Sequence, residues 1–103
     1  MDNLEIAREW FNIAKMDIAS SEYLKRMRPA PVEIICYHCQ QSAEKFLKGF
    51  LALKEHEVIR THDLIALNKL CIGYEEEFKS IEEECLRLTD YGVKTRYPFI
   101  RWI

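Results

Sequence analysis

The sequence predicts an all-α protein folded as an antiparallel up-and-down bundle of four main helices. Three observations carry this. Gly and Pro number only three each in 103 residues, so breaks are few and elements are long. Apolar residues recur at three- and four-residue spacing through most of the chain. Pro29, Pro31 and Gly73 fall between the periodic stretches, where a bundle needs its turns.

The first stretch, 3–27, places Leu4, Ala7, Phe11, Ala14, Ile18 and Ser21 on one face, widened by Trp10 and Leu24. Asn3 is its candidate N-cap. Arg28-Pro29-Ala30-Pro31 ends it, because each proline disfavours a helical residue before it. The second helix, 32–55, begins after Pro31 and presents Ile35, Cys39, Ala43, Phe46, Phe50 and Leu53 as its core face. His38, Gln41, Lys45 and Lys48 cluster about a third of a turn or more away, as a separate polar face. A loop, 56–60, leads to a short third helix, 62–72, which Thr61 can cap and in which Leu64, Leu67 and Leu70 face inward. Gly73 terminates it. The fourth helix, 75–92, turns Phe78, Ile81, Cys85 and Leu88 to the core and its glutamate triplets mostly to water, and Gly92 is placed to end it. Thr95 to Pro98 reads as extended. Phe99-Ile100-Arg101-Trp102 is an apolar ending that docks on the bundle, is covered by a partner subunit, or runs on into a longer chain.

The length suits one core, so residues 1–103 form a single domain. With 49% hydrophobic and 31% charged residues the chain is globular, not disordered. A net charge of −2 supplies no global basic field for nucleic acid, so any anion site has to be a local cluster. The acidic start Met1-Asp2-Asn3-Leu4-Glu5 lacks the basic, then apolar, pattern of a secretory leader, and no apolar run spans a bilayer. A cytoplasmic protein with four reduced cysteines, Cys36, Cys39, Cys71 and Cys85, is the expectation.

Glu9-Trp10-Phe11 with Ala14-Lys15-Met16-Asp17-Ile18, then Gln41-Ser42-Ala43-Glu44-Lys45-Phe46-Leu47-Lys48, then Thr61-His62-Asp63-Leu64, then Thr95-Arg96-Tyr97-Pro98 follow one another along the chain. In order and spacing they resemble the HEPN family of small helical domains. That resemblance implies an up-and-down bundle, usually a homodimer, and often a separate or fused minimal nucleotidyltransferase as partner. One branch of the family, the domain ending sacsin, is associated with nucleotide binding. Other branches are ribonucleases, often toxins of toxin–antitoxin pairs, marked by Arg, four to six residues, then His. None of His38, His56 and His62 has an arginine at that spacing before it. RNA cleavage at such a site would lack its usual acid–base and phosphate-binding pair.

The residues left for ligand chemistry are the cations Lys45, Lys48, Arg60 and Arg96, with His38, Gln41 and Tyr97 as orienting donors. Lys45 and Lys48 lie one turn apart, and converging cations are what phosphate recognition needs. The competing reading is a solvated face with Glu44 pairing locally. Arg96 beside the rigid Tyr97-Pro98 turn is pre-positioned for phosphate or for a carboxylate such as Glu44. His62-Asp63 reads as a helix cap before it reads as a base. Cys36-x-x-Cys39 has no second ligand pair for zinc, so neither metal nor cofactor is expected. These residues support a non-catalytic nucleotide or phosphate-ligand site, with an atypical ribonuclease or a structural dimerisation module as rivals.

Overall fold

A computed structural model describes residues 2–96, with side chains through Thr89. Tyr97, Pro98 and the apolar ending lie outside the described residues. Helices α1 (Asn3–Leu24), α2 (Val32–Leu53), α3 (Leu64–Tyr74) and α4 (Glu82–Arg96) pack together, with a 3₁₀ segment, Glu76–Ile81, leading into α4. There is no strand among the described residues, and the all-α bundle is as the sequence predicts.

The helix ends show why local chemistry chose them. Asp2, not Asn3, caps α1: its Oδ1 accepts from the Glu5 N–H at 2.8 Å. Asn3 instead donates from Nδ2 to the Leu53 carbonyl at 3.0 Å, tying the start of α1 to the end of α2. Asp63, not Thr61, caps α3, accepting from the Ile65 and Ala66 N–H groups. Thr61 supports it by accepting from the Asp63 N–H at 3.1 Å. Gly73 does not stop α3, which runs through Tyr74. Nor does Gly92 stop α4, which continues through Thr95 and Arg96 where extended chain was expected. Gly73 sits at negative φ, so it does not take the left-handed turn by which glycine usually ends a helix, and Gly92 lies inside α4.

Helix α2 is the centre of the molecule. It packs on α1 along one side and on α3 and α4 along the other. That double contact corrects the single core face read from its sequence. Its fully buried residues are Gln40, Ser42, Glu44, Leu47, Gly49 and Leu51. At about 100° per residue these fall on two sides of the helix. Ser42 and Gly49 face α1: Ser42 Oγ donates to the Ala14 carbonyl at 2.8 Å, and Gly49 lies against the Phe11 ring. Leu47 and Leu51 join Leu64, Leu67, Cys71 and Cys85 in the main core. The predicted apolar stripe occupies the seam between these two contacts and is only partly covered. Phe50 packs there on Phe78 with ring centroids 4.6 Å apart, while Phe46 is 39% exposed beside Phe11. On α1, Ala7, Ala14 and Ser21 are buried as expected, but Leu4 and Ile18 are exposed, because small residues bring α1 and α2 close and leave the larger flanking ones outside.

The two thiols in the core are held protonated. Burial first, and the neighbouring Cys85 second, push Cys71 up to about 12. Burial, then Glu84 and Glu82, raise Cys85 as well.

The same core sets two opposite glycine effects. A Cβ at Gly49 would overlap the Phe11 ring, whereas one at Gly73 meets nothing within 4 Å. Gly73→Ala should therefore raise the urea midpoint, by up to about 1 kcal/mol of helix propensity. Gly49→Ala should lower it, because overpacking costs about 1–3 kcal/mol and outweighs that gain.

The raised thiols give a pH slope. Above about pH 9 the unfolded chain releases the Cys71 proton that the folded chain keeps until about 12, so stability should fall across that window. Urea unfolding from pH 8 to 11 should show a steeper alkaline decline for the parent than for Cys71→Ala.

Candidate functional site

The other seam of α2 is polar, and every charged group that α2 brings to it has a partner. Asp17 reaches across from α1 and holds two groups of α2 at once. Its Oδ2 accepts from Lys45 Nζ at 2.7 Å and its Oδ1 from His38 Nδ1 at 3.0 Å. Side-chain exposure there is 14% for Asp17 and 20% for Lys45, so the pair is largely shielded from water.

Glu44, one turn before Lys48, repeats the arrangement deeper in the fold. Its Oε2 accepts from Lys48 Nζ at 3.0 Å, and both its oxygens lie within 3.1 Å of His62 Nδ1. Gln40 Nε2 donates to Glu44 Oε1 and to the His62 carbonyl, both at 3.4 Å. Gln41 Nε2 donates to Gln40 Oε1 at 2.9 Å. Lys48 also lies over the Trp10 ring, 5.6 Å from its centre. Glu44 thus fastens α2 to the segment that enters α3, and its side chain is only 4% exposed.

The local pairing of Glu44 with Lys48 expected from sequence is present, but it belongs to a buried network, not a solvated face. Of the cations singled out from sequence, Lys45 and Lys48 are each bound to a carboxylate. Arg60 is exposed and makes no hydrogen bond or ion pair among the described residues. Arg96 is placed only as backbone at the end of α4, and Tyr97 lies outside the described residues. The structure therefore brings His38, Gln41, Lys45 and Lys48 onto one seam.

Sequence reasoning gave neither organiser its role: Asp17 is not among its site candidates, and Glu44 enters only as a pairing partner on a solvated face or for Arg96. Each carried a signal. Asp17 lies three residues after Ala14 and four before Ser21, on the packed edge of α1. Glu44 lies three and seven residues before Leu47 and Leu51, on their buried face. A carboxylate at such a position requires partners, because a buried unpaired charge is very costly.

A shared geometry results. An ionised carboxylate only accepts, so each imidazole presents its Nδ1–H to the carboxylate and keeps Nε2 for something else. Neither His38 nor His62 uses Nε2 in a hydrogen bond among the described residues. His62 is 62% exposed at its side chain and His38 28%, so a ligand can reach both rings. Among the described residues no three His, Cys, Asp or Glu side chains gather as a metal site. No described helix is long and apolar enough to cross a membrane.

Fold and seam together define a small helical domain whose polar groups converge on one central helix. The family model for the HEPN domain matches residues 7–101, nearly the whole chain, and the protein belongs to that family. No curated protein and no solved structure matches the chain.

If Glu44 holds the seam together, Glu44→Ala should cost up to about 3–5 kcal/mol, because it leaves the partly buried Lys48, 14% exposed, without its counter-charge. Asp17→Ala, which removes a less deeply buried carboxylate (14% exposed against 4%), should cost less. Chemical denaturation of both variants checks the order.

Proposed function

We propose that this HEPN domain binds a nucleotide or another phosphate-bearing ligand without catalysing its turnover, as the accessory partner of a minimal nucleotidyltransferase. The observation that carries the reading is the paired arrangement around α2: two carboxylates, Asp17 of α1 and Glu44 of α2, each holding one lysine and one histidine. The lysines balance the carboxylates. What the seam offers an anion is the pair of imidazole Nε2 positions, each of which donates to a phosphate oxygen only when its ring carries a second proton, with Lys45 and Lys48 beside the same carboxylates. A charged donor fixed in place loses little entropy on binding, which favours recognition of phosphate oxygens. Gln41 lies on the same seam, and Arg60, Arg96 and Tyr97 are the further candidate donors that the sequence names. The transferase partnership rests on the family alone.

The Glu44–His62 pair also favours a second reading. A histidine oriented by a carboxylate through Nδ1, with Nε2 open to solvent, is the arrangement of a general base. In that reading the domain cleaves RNA without metal, and His62→Ala abolishes the cleavage.

Calorimetric titration with ATP, GTP and inorganic triphosphate separates the two. Binding in the micromolar range, weakened at least tenfold in both His62→Ala and Lys45→Ala, is the expected outcome. No heat from any of the three with the folded protein contradicts the ligand-binding proposal, and metal-independent cleavage of RNA lost in His62→Ala establishes the second.

A further inference from the structure

Helices α3 and α4 flank a cleft of about 340 Å³. Ile65 of α3 and Leu86 of α4 give it apolar walls. Asn68 and Cys85, 1 and 3% exposed, form its floor. Lys69 and Glu82, both exposed, stand at its mouth. The size and the lining, apolar with a few polar groups, are those of a small-molecule site. None of these residues belongs to the α2 seam, so the cleft and the phosphate-ligand proposal can fail independently.

Packing explains only half of Asn68. The buried positions of α3 are Leu64, Leu67, Asn68 and Cys71, at the three- and four-residue spacing of a core face. An amide at such a position needs a partner for each polar atom. Its Nδ2 has one, donating to the Phe78 carbonyl at 3.0 Å. A carbonyl only accepts, so this bond also fixes which amide atom is the nitrogen. Asn68 Oδ1 is buried and accepts no hydrogen bond among the described residues. The Cys85 thiol on the same floor, kept protonated by burial first and by Glu84 and Glu82 next, does not donate to it. A buried acceptor without a donor is rare in a folded protein, and the cleft is the side from which a donor can arrive.

The charges at the mouth restrict what enters. Glu83 is taken up by Arg87 at 2.8 Å. Lys69 and Glu82 carry opposite charges and offset each other, so the mouth does not select an ion. We infer that the α3–α4 cleft binds a small neutral molecule, apolar in body, that places an N–H or O–H donor on Asn68 Oδ1. Indoles and phenols are the chemical class that fits: one donor on a rigid apolar ring, with little conformational entropy to lose on binding.

Indole and benzofuran test this as a matched pair. Benzofuran keeps the shape of indole and replaces its N–H by an acceptor oxygen. Nitrogen-15 NMR of the full chain reads both titrations. Indole should shift the Asn68 side-chain amide and the backbone amides of Ile65, Cys85 and Leu86. Benzofuran should bind roughly tenfold or more weakly, because it sets an oxygen against Asn68 Oδ1. Leu86→Lys should weaken indole by a similar factor. That variant should keep its helical circular dichroism, since Leu86 is 58% exposed and a lysine there can pair with Glu82 one turn earlier. Indole that leaves the cleft signals unmoved overturns the inference. Benzofuran that binds as well as indole overturns it too, because Asn68 Oδ1 then plays no part. So does full indole binding in Leu86→Lys, because the ligand then sits elsewhere.

Discussion

The interaction on which the rest of the structure depends is the buried carboxylate of Glu44. It lies on the face of α2 that also carries Leu47 and Leu51, so it cannot be given up to water without moving the core. Burial of that charge is tolerable only with several donors in place, and Lys48, Gln40 and His62 supply them. Each donor then loses a degree of freedom. Lys48 is drawn in over Trp10 of α1, Gln40 is held where Gln41 can bond it, and the segment before α3 is fixed through both the ring and the carbonyl of His62. One side chain therefore couples α1, α2 and the entry to α3, and a network so fully satisfied specifies a single arrangement of the three.

Asp17 repeats the logic from the opposite side of the seam, and the repetition carries functional weight. A lone carboxylate–lysine pair is adequately explained by stability. Two carboxylates each hold a histidine by Nδ1 and leave its Nε2 without a hydrogen bond among the described residues, which stability alone does not require. In the proposed ligand reading, the cost of that orientation is met by folding and not again on binding.

The helices were legible because their periodicity and breaks are strong. The ends were less so, since Asp2 and Asn3 are adjacent, and Thr61 and Asp63 two positions apart, with similar capping ability, and the sequence does not say which one caps. Asn3 is taken by the Leu53 carbonyl, which leaves Asp2 for the cap. The face of α2 was misread for a related reason. A helix packed on two sides buries two strips, and close approach to α1 selects Ser42 and Gly49 for one of them, which a search for large apolar residues passes over. The polar face was found, but its electrostatics were not. Lys45 and Lys48 look free along the chain because Asp17 is distant in sequence and Glu44 resembles a surface residue among charged neighbours.

The most direct measurement of the central claim is the state of the two imidazoles, read by nitrogen-15 NMR of the histidine side chains. The proton of neutral His38 and His62 should sit on Nδ1, facing Asp17 and Glu44, and inorganic triphosphate should add a second proton at Nε2 and move its signal toward that of imidazolium. Ring signals of the averaged kind given by free imidazole, or Nε2 shifts indifferent to triphosphate, would contradict it.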